Sequence, residues 1–101
     1  MQYNFEWDFR KARSNLKKHG ISFEQAAEVF LDPDALTAFD RDHSEIEERW
    51  ITLGKVSLGN LCLVVIHNFH QQDNETAAVR VISARQATKR EIKSYEANHE
   101  I

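Results

Sequence analysis

The chain has 101 residues, of which 42% are hydrophobic and 29% charged, with few Gly and Pro and a net charge of −3. That allows one domain, residues 1–101, around a single core; the composition is ordinary for a soluble globular protein, and the net charge by itself argues weakly against nucleic acid as a partner. One cysteine excludes a disulfide framework, the apolar run at 61–66 is too short to cross a bilayer, and the N-terminus has no signal-peptide pattern, so a cytoplasmic protein without membrane contact is expected.

Residues 3–7 alternate apolar and polar and predict a short half-buried strand. Asp8 suits an N-cap. Phe9, Ala12 and Leu16 then form a narrow apolar stripe at helical spacing. Lys17, Lys18 and His19 fit the C-terminal dipole of that helix, and Gly20 fits the left-handed residue after it. Ser22 and Gln25 have capping-box spacing, with Ile21 placed to staple onto Ala26. Phe23, Ala26, Ala27 and Phe30 give a second helix its apolar face, and Asp32-Pro33-Asp34 ends it. Two helices around a Gly turn invite a helix-turn-helix reading. The second helix, however, carries Glu24 and Glu28 and no base, so direct DNA binding by the isolated chain is not expected.

Residues 35–39 predict a weak strand, and residues 40–48 a polar loop or short helical turn. Residues 49–53 read as a strand ended by Gly54, followed by a connection over 55–60 that turns at Gly59-Asn60. Residues 61–69 predict a central strand, and the polar loop 71–75 leads through a hairpin into a strand over 76–84. Thr88 and Glu91 again have capping-box spacing and open a helix reaching about His99. Short loops imply antiparallel neighbours. The expected fold is α+β: a small antiparallel sheet of three to five strands, with two N-terminal helices and a C-terminal helix on one face and the other face partly exposed.

Charge is segregated along the chain. Residues 1–23 sum to +3, residues 24–50 to −7 and residues 51–101 to +1. There is no Gly-rich phosphate loop, and Cys62 in an apolar run is a poor nucleophile. His67 and His70, with His43 elsewhere, read as surface histidines near a hairpin; no metal site and no cofactor are expected. What remains is Lys18, His19, Glu48, Arg49, Arg80, Arg85, Lys89 and Tyr95. Metal-free RNA cleavage needs such groups: a base for the 2′-OH, an acid for the leaving 5′-oxygen, and cations for the charge on phosphorus. Each also has a structural reading, and Arg85 would pair with Glu48 or Glu91. A regular strand through 85 would put Arg80 on one face and Arg85 on the other, which assigns function to Arg80 and helix locking to Arg85.

Three motifs then resemble the BrnT toxin family. The first is Phe5-Glu6-Trp7-Asp8 with Lys11-Ala12, Asn15 and Lys18-His19-Gly20-Ile21-Ser22-Phe23. The second is Glu47-Glu48-Arg49 followed by Gly54. The third is Arg80-Val81-Ile82-Ser83-Ala84-Arg85 with Ala87, Glu91 and Tyr95. The sequence departs from the family pattern near 46, where Ile46 stands in place of an expected Gly. The resemblance implies a RelE-like fold and a type II toxin–antitoxin ribonuclease that arrests translation. It also implies a hetero-oligomer with a BrnA-like ribbon-helix-helix antitoxin, with a homodimer as the other assembly. Carried onto this chain, His19, Glu48, Arg49 and Arg80 are the catalytic candidates, and Lys11, Lys18, Arg85 and Lys89 the RNA-binding ones. The alternative is a non-enzymatic interaction protein that keeps the fold and the antitoxin surface, its acidic middle docking a basic partner segment.

Overall fold

The computed structural model describes residues 1–43, 47–57 and 60–98. The middle of the 40–48 connection with position 46 and the turn at Gly59 lie outside the described residues; the last helix, expected to reach about His99, instead ends at Glu96, where Ala97 caps it.

Local chemistry sets each helix start. Asp8 Oδ1 accepts from the backbone N–H of Arg10 (2.8 Å) and Lys11 (3.1 Å) and opens α1, Phe9–His19. Gly20 ends α1 with φ +71°, a conformation a side chain would strain. Ser22 Oγ accepts from Gln25 N–H and opens α2, Phe23–Ala27, which continues as a 3-10 turn over Glu28–Leu31. Thr88 and Glu91 bond reciprocally and open α3, Lys89–Glu96.

The strands are β1 (Gln2–Glu6), β2 (Leu36–Phe39), β3 (Trp50–Val56), β4 (Leu61–His67), β5 (His70–Gln71) and β6 (Thr76–Gln86). They form one sheet in the order β1-β6-β4-β3-β2, with β5 paired to β6 beside β4's end of the hairpin. The expected α+β class holds with three departures. The sheet has six strands, because the two-residue β5 was too short to show a pattern. It is mixed, because β1 runs parallel to β6, with Phe5 opposite Val79 and Glu6 opposite Arg80; short-loop reasoning reaches only consecutive strands. Helices cover both faces rather than one.

On the first face α1 and α2 bury Ile21, Phe23, Ala26 and Val29 against Leu63, Val65, Val81 and Ala84. On the second face Ile92 and Tyr95 of α3 pack on Leu53, Cys62 and Val64. Strand alternation sorts the residues: Leu63 and Val65 go one way, Cys62 and Val64 the other. Burial of the Cys62 thiol raises its pKa, consistent with a core role.

Side-chain hydrogen bonds tie the helices to the rest of the fold. Asn15, buried on α1, donates to Ile21 O (3.0 Å) and Ala84 O (2.8 Å) and accepts from Ala84 N–H (3.1 Å). The Tyr95 hydroxyl of α3 donates to Asp32 Oδ2 (2.5 Å), which also accepts from Lys55 N–H (2.8 Å). Gly54 does not end β3; it lies inside it, where an added Cβ would meet Val29 Cβ at 3.1 Å and Ala35 Cβ at 3.3 Å. The glycine is a close approach between sheet and helix turn.

Candidate functional site

The α3 face is only part covered. α3 sits over the Leu53–Cys62–Val64 end; among the described residues no helix packs on the opposite, open end of that face. Three strands supply it. Trp50 pairs with His67 and Ile51 with Ile66; Ile66 in turn pairs with Ser83. Trp50 and His67 face α2, so alternation puts Ile51, Ile66 and Arg49 on the α3 face.

β6 does not alternate throughout. Its register against β4 shifts between Ile66 and His67: Ser83 opposes Ile66, yet Val81 opposes His67, leaving Ile82 as an extra residue. Burial records the same step, since Ala77, Val79, Val81 and Ala84 are buried while Ile82 and Ser83 in succession are not. The bulge therefore returns Arg85 to the face that carries Arg80. The expectation that the two arginines occupy opposite faces is corrected by this one residue.

Around Arg80 the backbone is held on both sides of its peptide. Asn68 Oδ1 accepts from Arg80 N–H (2.9 Å), and Asn68 N–H donates to Arg80 O (3.0 Å). The Arg80 guanidinium, 28% exposed, donates through Nη2 to both carboxylate oxygens of Glu47. On β5, His70 opposes Ala78, two residues before Arg80 on the same face. His70 is exposed. Arg49, Arg80, Glu47 and His70 thus share the open end of the sheet. Bidentate arginine and a carboxylate or imidazole beside it suit a phosphodiester.

Arg85 lies further along the face and is committed to α3. Its Nη1 and Nη2 donate to Glu91 Oε1 (2.8 Å) and Oε2 (3.0 Å), while Glu91 Oε1 also accepts from Thr88 N–H. The Arg85 bonds hold the Glu91 carboxyl far down, to about 2. Of the two acids the sequence offered to Arg85, the structure selects Glu91. Tyr95 is likewise engaged, with burial and Asp32 raising its hydroxyl pKa.

The other sequence candidates are dispersed. Lys11 and Lys18 are exposed and His19 half-buried on α1, beneath the first face. Glu48 is exposed next to Glu47, but Glu47 is the acid on Arg80. Lys89 is exposed at the start of α3. Sequence reasoning missed His70 and Glu47; the former needs the β5–β6 register, which no local pattern shows.

His67 is not a surface histidine. It is 2% exposed, edge-on to Phe30 at 4.9 Å, with Nδ1 donating to Asn68 O (2.9 Å) and Nε2 bonded to Thr52 Oγ1 (2.7 Å). Burial lowers its pKa. His43, by contrast, bonds Asp40 near the surface (3.1 Å). Among the described residues no cluster of three or more His, Cys, Asp or Glu is placed to hold a metal, and no helix is long and apolar enough to cross a membrane.

The sequence model of the family described as "Ribonuclease toxin, BrnT, of type II toxin-antitoxin system" matches residues 7–91 of the chain. No curated protein matches it.

Proposed function

The chain belongs to the BrnT family of ribonuclease toxins of type II toxin–antitoxin systems, and from that premise we propose that it is a metal-independent endoribonuclease of the cytoplasm whose cleavage of RNA arrests translation. The observation that carries the site is the Arg80–Glu47 pair at the open end of the sheet. A carboxylate held by a guanidinium is the geometry a phosphate would take over.

Arg80 and Arg49 bind the scissile phosphate and stabilise the charge that builds on it. Phosphate displaces Glu47 from Arg80, and Glu47 then takes the 2′-OH proton. The 2′-oxygen bonds to phosphorus, the bond from phosphorus to the 5′-oxygen breaks, and His70 delivers a proton to that oxygen. The products are a 2′,3′-cyclic phosphate and a 5′-hydroxyl. The lysines of α1 lie on the other face, so Lys11 and Lys18 serve RNA only if the strand wraps round the sheet edge. The partner is an antitoxin of the ribbon-helix-helix class, which binds DNA where this chain does not. One observation favours the non-enzymatic alternative for part of the third motif: Arg85 is fully engaged by Glu91 and Gln86 O, which fits a structural role.

The test is cleavage of a single-stranded RNA by the purified chain in EDTA, with the new termini identified. Arg80→Ala is expected to lose roughly 100-fold in rate, His70→Ala to lose most activity, and His19→Ala to keep it. Loss in His19→Ala with cleavage intact in His70→Ala would return proton transfer to His19. A wild-type chain that leaves RNA uncut defeats the reading.

A further inference from the structure

The apolar stripe of α1 is split by the fold. Ala12 packs into the core and Asn15 is pinned to Ala84, but Phe9 is 68% and Leu16 51% exposed. Helical spacing puts Phe9 and Leu16 two turns apart on the same shoulder of α1, the one that faces α2, with Ala12 and Arg13 on the turn between them. There they wall a groove of about 280 Å³ that Trp7 and Phe23 floor and Glu24 closes at the α2 side. Arg10 and Lys17 follow Arg13 round the helix, and Lys11 and Lys18 lie on the far shoulder. α1 carries these five bases and no acid.

The exposed Phe9 and Leu16 on this basic helix are not needed for the core, which closes without them. We propose that this groove is the docking site for an acidic amphipathic helix of the antitoxin, its apolar side chains seated between Phe9 and Leu16 and its carboxylates on Arg10, Arg13 and Lys17. The proposal rests on the toxin–antitoxin reading for the identity of the partner. Charge complementarity sets the sign of the partner: Arg13 lines the groove, with Arg10 and Lys17 next to it round a helix that carries no acid, against the single acid Glu24 that lines it. The apolar lining of Trp7, Phe9, Ala12, Leu16 and Phe23 suits the side chains of a peptide helix, and the Arg13 guanidinium already occupies one face of the Phe9 ring, 4.8 Å from its centroid. The groove also lies on the face of the sheet away from Arg80, so docking there anchors the partner without itself covering the arginines. Neutralisation then takes a second segment of the same partner that reaches the open end of the other face.

The test uses the full chain and two synthetic helical peptides with the same leucine stripe, one flanked by Glu and one by Lys, read by calorimetry and by the amide resonances of α1. The Glu peptide is expected to bind and to shift residues 9–17, the Lys peptide to bind at least tenfold more weakly, and added salt to weaken the Glu peptide. Phe9→Ser with Leu16→Ser, both surface changes, is expected to lose binding at least tenfold while RNA cleavage stays as in wild type. Equal binding of the two peptides, shifts that map away from α1, or a double variant that binds as wild type does would each overturn the proposal. A single-stranded oligonucleotide that binds at α1 and is lost in the double variant would overturn it in favour of RNA. Because binding is read without cleavage, an inactive wild-type chain would end the ribonuclease reading and leave this result standing.

Discussion

Arg80 and Arg85, an odd number of residues apart on one strand, project from the same face of the sheet. A single extra residue at Ile82 makes this so. The bulge divides β6 into a half that carries Arg80 with Asn68 and Glu47, and a half that carries Arg85 with α3.

Arg85 and Glu91 tie β6 to α3, and the tie is pH-dependent. The unfolded Glu91 carboxyl titrates near 4.5 and the folded one near about 2. Between those values the unfolded chain holds more protons, so stability is full above 4.5 and is lost as pH falls toward about 2. The pair is partly exposed, so Arg85→Ala is expected to cost only about 1 kcal/mol at neutral pH and to flatten the acid limb. Urea midpoints measured across that range for both proteins check it.

His67 gives a second, separate dependence. Its folded pKa lies below the unfolded 6.5 because it is buried. The unfolded chain therefore binds a proton that the folded one refuses, and stability declines as pH falls below 6.5 toward the folded value. His67→Gln is expected to remove that slope. In wild type the imidazole resonances should show a neutral ring protonated on Nδ1 at neutral pH, since Asn68 O can only accept.

Asn15 satisfies three backbone groups at once. Asn15→Ala strands the Ala84 N–H and two carbonyls in the interior, at roughly 2–4 kcal/mol in total. Asn15→Asp is expected to be worse, because it offers no donor to Ile21 O or Ala84 O. Chemical denaturation ranks the two, and neither change touches the Arg80 end of the sheet.

Gly54 has contacts waiting for any side chain. Gly54→Val is expected to destabilise by about 1–3 kcal/mol through overpacking against Val29 and Ala35, and Gly54→Ala by less. A melting series separates this from loss of strand: a far-ultraviolet spectrum that keeps its sheet signal at low temperature is the expected companion.

What the sequence made legible was local. Asp8, Ser22 and Thr88 each cap the helix assigned to them, and Gly20 has the left-handed backbone its position demands. Gly54 shows the limit of local reading: taken as a strand end, it is instead a site of close packing, a fact that belongs to Val29. The bulge at Ile82 has no Gly or Pro to announce it. The parallel pairing of β1 with β6 joins residues more than seventy positions apart. At the site, Arg49 and Arg80 were legible as candidate cations, whereas Glu47 acquires its place only from its ion pair with Arg80 and His70 only from the β5–β6 register. Phe9 and Leu16 had the right spacing for a core stripe, and only the fold, which turns Asn15 to Ala84 and leaves both exposed, shows that they face outward.

The β1–β6 pairing also has a consequence for synthesis. The partner of β1, residues 76–80, is made more than seventy residues after it. Neither β1 nor the strand between it and β4 can be placed until that stretch is available, which is a high-contact-order closure. Arg80 arrives with that last strand. The arginine end of the sheet is therefore assembled only after β6 has been made, and a ribosome making this protein is not exposed to a folded copy of the site while the strands before β6 are being made.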